Sequence, residues 1–332
     1  MTRQWSRACL LTLVVSAALV SPTYASTPST PACAALQDPT EVPVTDARLL
    51  HTHVAGTPVD VLLPPGYANN DYRYPVLFLM HGAFDNQNQF TATTDLISYT
   101  AGLPTDEQAI VVMPYQSNLP AASDWHDGSR HQETFLVHQL VPAVDAQFRT
   151  RGDGAHRAIA GFSGGGLDAM LLAARHPGLF AAAGSFSGFV DQLTPRGIAV
   201  IAAFTAVDSV GCGNAEGLDA IWGNPILDRA NWIAHDPTNL AARLRGTVLY
   251  IASGNGVSCP NDPQPASLEG GLVEENTVHE MSRNLANALT RDGIPHTEDF
   301  YGCGSHIARY VQRDLHVFWP IFARTVANAD RA

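Results

Sequence analysis

The chain has 332 residues and a formal net charge of −12, and all 19 of its basic Lys+Arg positions are arginine. The acidic balance argues against nucleic acid or an anionic membrane as the main partner. Because lysine is absent, a Walker-type phosphate-binding loop and a lysine Schiff base are both excluded. A chain of this length can bury a sizeable core as one α/β domain.

The N-terminus has the pattern of a secretory signal peptide over residues 1–25. Arg3 and Arg7 precede an apolar run that is short for a membrane span, and small residues at Thr23 and Ala25 suit cleavage after Ala25. An uncleaved N-terminal anchor is the alternative. We therefore expect a secreted or cell-envelope protein with no transmembrane segment in its mature chain.

Residues 26–40 are rich in Ser, Thr and Pro and predict a flexible leader before a single domain over 41–332. In an oxidising compartment, the four cysteines beyond the signal peptide predict two disulfides, with all three pairings open. These cysteines are Cys33, Cys212, Cys259 and Cys303. Since no C-x-x-C spacing occurs, the sequence indicates neither a structural zinc site nor any other cofactor.

The first half of the domain predicts short strands followed by one long helix. Period-2 and continuously apolar runs indicate strands, and apolar residues at helical spacing indicate the helix. The predicted elements are paired strands at 42–54 and 59–63, buried strands at 76–80 and 110–113, and a helix over 134–148.

The centre of the chain carries a strand, a sharp turn and a helix with Ser163 at the apex. The segment Gly161-Phe162-Ser163-Gly164-Gly165 fits the G-x-S-x-G nucleophile elbow. Residues two before and two after the serine must be small, so that the strand and the helix can approach each other. The N–H of Gly164, at the start of the helix, is then placed to stabilise an oxyanion. A glycine-rich turn that merely packs tightly is the alternative.

The second half continues the alternation of strands and helices. We predict strands at 181–186, 248–251 and 297–301, helices over 274–292 and 307–326, and an irregular insertion over 191–237. Alternating strands and helices without an internal repeat indicate a doubly wound, mostly parallel sheet flanked by helices, the α/β-hydrolase fold. In such sheets the chemistry lies at the carboxyl ends of the strands, where Ser163 falls.

A nucleophilic serine needs a histidine base and a carboxylate that orients it, in the chain order Ser, acid, His. His306 is the best candidate base, because it lies in a Gly-rich loop between the last strand and the last helix. For the acid we favour Glu274, which is in helical register with Val278 and Met281 and would point inward. Glu275 is the alternative acid.

The second oxyanion donor should come from the loop after an early strand. The segment His81-Gly82-Ala83-Phe84 follows the strand at 76–80, so we expect the Ala83 N–H to be the donor. We expect His81, Phe84, Trp125 and His126 to line the substrate cleft. A metal site in Asp124-Trp125-His126-Asp127 with His131 is the alternative, since carboxylates and imidazoles suit a metal, but the spacing matches no defined motif.

Several spaced motifs resemble the secreted mycolyltransferases of mycolic-acid bacteria, within the wider esterase D group of α/β-hydrolases. The motifs are the elbow, Glu133-Thr134-Phe135-Leu136 after Trp125, Asn255 in Ser253-Gly254-Asn255-Gly256, Gly270-Gly271-Leu272-Val273-Glu274, Gly304-Ser305-His306, Asp314-Leu315-His316 and Trp319-Pro320. The resemblance covers nearly the whole mature chain. It implies a Ser–Glu–His triad and supports Ser163, Glu274 and His306, with Ala83 and Gly164 as oxyanion donors.

The departures from that family concern the substrate. The family's trehalose-contacting loop usually carries Asp where this chain has His81, and Arg where it has Phe84. In that family a Ser-Trp pair commonly follows the catalytic histidine, whereas Ile307-Ala308 follows His306 in this chain. Each lost polar contact should cost on the order of 1–3 kcal/mol if nothing replaces it. These departures weaken the expectation of trehalose as acceptor and leave the acyl-enzyme chemistry untouched.

The sequence as a whole predicts a secreted serine esterase or acyltransferase that works through an acyl-enzyme. Its partners would be an acyl ester or glycolipid substrate, with water, a sugar or another alcohol as acceptor. Two alternatives stay open: a mycolyltransferase proper, and a catalytically silent envelope-binding protein on the same fold. Acyl chain length, the natural acceptor and the oligomeric state do not follow from the sequence.

Overall fold

The computed structural model describes residues 46–119, 121–211, 217, 219–262, 266 and 268–329. The predicted signal peptide and leader lie outside these ranges, as do Cys33 and Cys212. Within the described ranges, no helix has both the length and the apolarity that crossing a bilayer requires.

Eight strands form one sheet in the order β1-β2-β4-β3-β5-β6-β7-β8. The strands β1 and β2 form an antiparallel hairpin, β2 is antiparallel to β4, and the other neighbours are parallel. The bounds are β1 Leu49–Val54, β2 Thr57–Leu62, β3 Val76–Met80, β4 Ile110–Pro114, β5 Arg157–Phe162, β6 Ala182–Phe186, β7 Val248–Ser253 and β8 Thr297–Phe300. This mostly parallel sheet with flanking helices is the α/β-hydrolase fold that the sequence predicts.

The helices cover both faces of the sheet. The sheet divides the core into two halves, one on each face. The helices are α1 Gln89–Thr93, α2 Leu96–Ala101, α3 Gln132–Thr134, α4 Val141–Gln147, α5 Gly164–Arg175, α6 Pro195–Gly211, α7 Arg229–Ala234, α8 Asn276–Arg291 and α9 Ala308–Ala329. Successive strand residues point to opposite faces. Accordingly, Phe78 joins the core half that contains Leu167 of α5, whereas Leu79 joins the half that contains Phe318 of α9.

Two segments have π-helical backbone: Phe135–Leu140, which links α3 to α4, and Leu268–Glu275, which leads into α8. The single helix predicted over 134–148 is therefore a composite of three segments. Helix α8 ends as expected, because Gly293 follows it with a positive φ of 64°. The two π-helical segments were not predicted from the sequence. A π-helix has more residues per turn than an α-helix, so a 3.6-residue extrapolation across one loses its register.

The prediction of an irregular insertion over 191–237 was wrong, because α6 and α7 both lie within it. Helix α6 has apolar residues on every side, including Ile198, Phe204 and Val207, and therefore shows no amphipathic period. Ile201 and Phe204 nevertheless pack against the core, which makes α6 a wall of the site described below.

Candidate active site

Ser163 lies in the tight turn between β5 and α5, with φ 57° and ψ −120°. Positive φ is strained for a residue with a Cβ and persists only where the surroundings hold it. Here the Ser163 N–H donates to the carbonyl of Phe186 at 2.9 Å, and the Ser163 carbonyl accepts from the N–H groups of Gly166 and Leu167. The turn is thus fixed to β6 on one side and to the first turn of α5 on the other.

The glycines on either side of Ser163 are required by close backbone contacts. A Cβ on Gly161 would lie 2.3 Å from the carbonyl oxygen of Gly165, and a Cβ on Gly165 would lie 2.0 Å from the carbonyl oxygen of Met80. Both distances are far below van der Waals contact. The expectation that the residues two before and two after the serine must be small is confirmed, and the backbone has the geometry of a nucleophile elbow.

His306 and Glu275 form a buried pair at the carboxyl ends of the strands. The Nδ1 of His306 lies 2.8 Å from Oε2 of Glu275, and the two side chains are 6% and 0% exposed. The other carboxylate oxygen, Oε1, accepts from the Ser187 hydroxyl at 2.8 Å and from the Gly254 N–H at 2.6 Å. Three hydrogen bonds compensate for burying this carboxylate, which would otherwise be costly.

The sequence favours Glu274 as the acid, whereas the structure places Glu275 against His306. Glu274 is half-buried, and Glu275 is fully buried. The expectation followed the large apolar residues of α8 and overlooked a second buried row that holds Ser282 and Ala286. Extended two turns back from Ser282, that row reaches position 275, and the π-helical backbone that ends there also shifts the register.

The loop that carries His306 is held at several points. The His306 N–H donates to the carbonyl of Gly270 at 2.8 Å, and the Gly256 N–H donates to the carbonyl of Gly304 at 2.8 Å.

A disulfide joins Cys259 to Cys303, three residues before the histidine. One disulfide among the four cysteines therefore matches the expectation, and the cysteines of the other predicted pair lie outside the described residues. The His306 ring also lies against the ring of Phe162, the residue before Ser163, at a centroid distance of 4.4 Å.

The loop after β3 lies beside the serine, where the second oxyanion donor was predicted. A Cβ on Gly82 would be 3.4 Å from the Cβ of Ser163. The Gly82 N–H donates to Oε1 of Gln89 at 2.9 Å, and Nε2 of the same amide donates to Asp85 at 2.7 Å. Ala83 lies between this fixed peptide and Phe84, whose N–H donates to the Asn118 carbonyl at 2.7 Å.

His81 supports this loop from inside the protein and does not face the cleft. Its residue is 1% exposed, Nδ1 donates to the Gly82 carbonyl at 2.8 Å, and Nε2 accepts from the Gln116 N–H at 3.0 Å. Burial lowers the pKa of His81 to about 4, although the hydrogen bond to Gly82 opposes the shift. The imidazole is thus neutral with both nitrogens engaged, and the expectation of a substrate contact does not match this arrangement.

The other residues expected to line the cleft take different positions. Trp125 is buried in the core, with Arg130 over its ring at 5.0 Å, so it does not match the expectation of a cleft-lining side chain. His126 is exposed, and its N–H donates to the Ile221 carbonyl at 3.0 Å. Phe84 has a positive φ of 58° and packs edge-on against Phe204 at 5.7 Å.

An apolar pocket opens between the serine and α6. The pocket is small, with a cavity volume of about 20 Å³. Both predicted oxyanion donors, Ala83 and Gly164, line it together with Phe189, Ile201 and Phe204. The sequence did not indicate this pocket, since α6 was not predicted as a helix.

The other histidines that follow Ser163 have structural partners. His176 pairs with Glu133 at 2.7 Å, His296 with Glu298 at 3.0 Å, and His316 with Asp95 at 2.8 Å. Burial raises the pKa of Glu133, but hydrogen bonds from His176 and Arg175 outweigh it and lower that pKa to about 2. His279 has its Nδ1 2.9 Å from the Ser253 hydroxyl, and His235 has its Nδ1 2.8 Å from the Asn231 carbonyl. His306 differs from all of these because its carboxylate partner is fully buried and its ring lies against Phe162 of the elbow.

Comparison with known proteins agrees with this geometry. Residues 55–318 match a family model described as an esterase. An esterase of Mycobacterium tuberculosis is 34% identical over 263 residues, which cover 76% of this chain and 52% of that protein. The chain therefore spans about half the length of this relative. The diacylglycerol acyltransferase/mycolyltransferase Ag85B of Mycobacterium leprae is 28% identical over 309 residues, or 83% of this chain and 87% of that one.

Solved structures show the same fold. The crystal structure of Mycobacterium tuberculosis MPT51 superposes with a TM-score of 0.67 at 21% identity, covering 85% of this chain and all of that one. A ferulic acid esterase superposes with a TM-score of 0.62 at 20% identity, covering 84% and 97%. Since the family model spans residues 55–318, which is most of the chain, the protein belongs to this esterase family, and its sheet is that of the α/β-hydrolases.

Proposed function

We propose that this protein is a serine carboxylic-ester hydrolase that works through a covalent acyl-enzyme on Ser163. His306 acts as the base, and Glu275 is the acid of the triad. Because Nδ1 of His306 donates to Glu275, the nitrogen left for proton transfer is Nε2. The single observation that carries the proposal is this buried carboxylate–imidazole pair beside a strained serine elbow.

The reaction proceeds in two steps, acylation of Ser163 and hydrolysis of the acyl-enzyme. His306 takes the Ser163 proton as the hydroxyl oxygen attacks the ester carbonyl, and the alcohol leaves with that proton. Water then attacks the acyl-enzyme, gives a proton to His306, and releases the acid as the proton returns to Ser163. Glu275 stabilises the imidazolium formed in each step.

The oxyanion of each tetrahedral intermediate would be held by the N–H groups of Ala83 and Gly164. Three features support this assignment: Gly164 begins α5, Ala83 follows a peptide fixed by Gln89, and both residues line the same pocket. Fixed N–H donors cost no reorganisation when the charge develops, which is why such sites contribute strongly to catalysis.

A second candidate is acyl transfer to a sugar or another alcohol in place of water. The similarity to Ag85B, a diacylglycerol acyltransferase/mycolyltransferase by name, favours it. Both candidates share the acyl-enzyme and differ only in the acceptor. Adding trehalose or glycerol to an assay distinguishes them, because a transferase would form a new ester where a hydrolase releases free acid.

We also propose that the protein is exported across the membrane. The signal-like N-terminus and the disulfide between Cys259 and Cys303 support this, since disulfides persist mainly in oxidising compartments. Expression of the full chain, followed by N-terminal sequencing of the exported product, tests it. Cleavage after Ala25 is expected, and retention of the intact chain inside the cell would contradict export.

Turnover of p-nitrophenyl acetate by the wild type and by Ser163→Ala tests the enzymatic proposal. We expect the variant to lose nearly all activity, by a factor of about 10⁴ or more, with its melting temperature little changed. Labelling with a fluorophosphonate separates the proposal from a catalytically silent binding protein, because only an activated serine reacts. A wild type that neither turns over the ester nor takes the label would overturn the proposal.

A further inference from the structure

Helix α6 carries a carboxylate on the side that faces the protein interior. Asp208 is fully buried, although the helix residues before it, from Ile198 to Val207, are almost all apolar. Taking a carboxylate out of water is costly unless hydrogen bonds replace its hydration. A buried acid in so apolar a helix is therefore expected to have a specific partner.

That partner is Asn118, in the loop after β4. The Nδ2 of Asn118 donates to Oδ1 of Asp208 at 2.8 Å, and its Oδ1 accepts from the Tyr115 hydroxyl at 3.4 Å. The residue is only 2% exposed, and both ends of its amide are held. Because the side chain is fixed in this way, the backbone of Asn118 is fixed as well.

The backbone of Asn118 in turn holds the residue that follows the proposed oxyanion donor Ala83. The Phe84 N–H donates to the Asn118 carbonyl at 2.7 Å. The φ of Phe84 is 58°, a left-handed value that is unfavourable for a residue with a Cβ. Such a conformation persists only where neighbouring groups hold it, and the Asn118 carbonyl is one of those groups.

Helix α6 contacts Phe84 at a second point. The ring of Phe204 packs edge-on against the ring of Phe84, with 5.7 Å between the centroids. Since residues four apart lie on the same face of a helix, Phe204 and Asp208 act from the same side of α6. Phe204 contacts the Phe84 side chain directly, and Asp208 reaches its backbone through Asn118.

We propose that Asp208 is a positioning residue for the loop that carries the Ala83 N–H. Through Asn118 it holds Phe84 in its left-handed conformation, which keeps that N–H directed at the developing oxyanion. The inference rests on the proposed function, since it assumes that Ala83 is an oxyanion donor. It goes further because it gives α6, which carries no residue of the triad, a part in transition-state stabilisation.

The first test is the kinetics of Asp208→Ala with p-nitrophenyl acetate. The variant lacks the acceptor for the Asn118 amide, so the loop loses its support. A fixed N–H donor acts mainly in the transition state, so we expect kcat to fall about 10–100-fold while KM changes less than about threefold. Val207→Ala is the matched control, because Val207 is the neighbouring residue on α6 and is 53% exposed. It should keep wild-type kinetics.

Exchanging the two polar side chains separates loss of the contact from loss of folding. Asn118→Asp alone places two carboxylates within hydrogen-bond distance, and their repulsion should lower kcat about 10–100-fold. Combining it with Asp208→Asn restores an amide donor opposite a carboxylate acceptor, so kcat should recover at least about fivefold. A double variant no more active than Asn118→Asp would overturn the inference.

A trifluoromethyl ketone reports on oxyanion positioning directly. The Ser163 oxygen adds to the ketone carbonyl carbon, His306 takes the serine proton, and the carbonyl oxygen becomes an oxyanion with no group leaving. The Ki of 1,1,1-trifluoroheptan-2-one should rise about 10–100-fold in Asp208→Ala, in parallel with the fall in kcat. A fall in kcat without any rise in this Ki would overturn the inference, because the defect would then lie outside the oxyanion site.

The failure of this inference and the failure of the proposed function give different results. If the wild type hydrolyses the ester and takes a fluorophosphonate label, but Asp208→Ala equals it in kcat and in Ki, only the positioning role is wrong. If the wild type shows neither turnover nor labelling, the proposed function is wrong and the positioning role falls with it.

Discussion

The Nδ1 atom of His306 lies 2.8 Å from Oε2 of Glu275, and both side chains are almost wholly buried. The carboxylate belongs to the last residue before α8, and the histidine belongs to the loop before α9. Two segments about thirty residues apart in sequence therefore meet beside the serine turn. This contact distinguishes Glu275 from its neighbour Glu274 and leads to the first prediction.

Glu275→Gln should lower kcat for p-nitrophenyl acetate by about 10³–10⁴-fold. The amide cannot stabilise the imidazolium, and comparable substitutions in other triads have effects of this size. Glu274→Gln is the matched control, with an expected change of less than about threefold. Steady-state kinetics at pH 7.5 compares the two. A larger loss in Glu274→Gln than in Glu275→Gln would restore Glu274 as the acid.

Gln89→Leu should lower kcat about 10–100-fold with KM little changed. The Gln89 amide fixes the Gly82 peptide, and Asp85 orients that amide by accepting from its Nε2. Without the Gln89 amide, the loop would no longer hold the Ala83 N–H in the direction of the developing oxyanion. Gln108→Leu, at a distance from the loop, serves as the control and should retain wild-type kinetics. If KM alone rises in Gln89→Leu, the residue does not position the oxyanion loop.

Replacing both Cys259 and Cys303 with serine should destabilise the protein by about 2–4 kcal/mol, because the disulfide restricts the unfolded chain. Urea denaturation measures this free energy of unfolding. Since Cys303 lies three residues before the histidine, kcat should also fall at temperatures where the variant remains folded. Loss of stability without any loss of kcat would limit the disulfide to a purely structural role.

Asp168 should make stability depend on pH. It is fully buried on α5 with one oxygen accepting the Ala122 N–H, and burial raises its pKa to about 8. The pKa of Asp168 in the folded protein lies above its value of 3.8 in the unfolded chain. The stabilising contribution of Asp168 is therefore fully present below pH 4 and is lost as the pH rises through 8.

Urea denaturation of the wild type and Asp168→Asn at pH 5 and pH 8 checks this dependence. The asparagine has no proton to lose, so the variant should gain stability relative to the wild type as the pH rises. The expected gain is on the order of a few kcal/mol, since each pH unit contributes about 1.4 kcal/mol. A difference in free energy that is the same at both pH values would show that the pKa of Asp168 in the folded protein is not raised into this range.

The fold was predictable because local and global patterns agree in most of the chain. The continuously apolar run at Val76–Met80 is typical of a strand covered on both faces, and it is 0–3% exposed along its length. The elbow was predictable for a similar reason, since glycines are required on both sides of a strained serine. These patterns depend on residues close together in sequence.

The parts that were not predictable depend on contacts between distant segments. The partners of Glu275, Ser187 and Gly254, belong to two other loops, and no short motif connects them. The burial of His81 follows from the packing of a neighbouring loop around Gln116. The uniformly apolar helix α6 shows no period, so only the folded chain reveals which of its residues face the pocket.

Trapping the acyl-enzyme is the most direct test of the account. The protein is mixed with p-nitrophenyl hexanoate, quenched in acid within milliseconds, and analysed by intact mass and by peptide mapping. We predict one hexanoyl group per chain, located on the peptide that contains Ser163 and absent from Ser163→Ala. Acylation at another residue, or equal acylation of the variant, would contradict the central claim that Ser163 is the nucleophile.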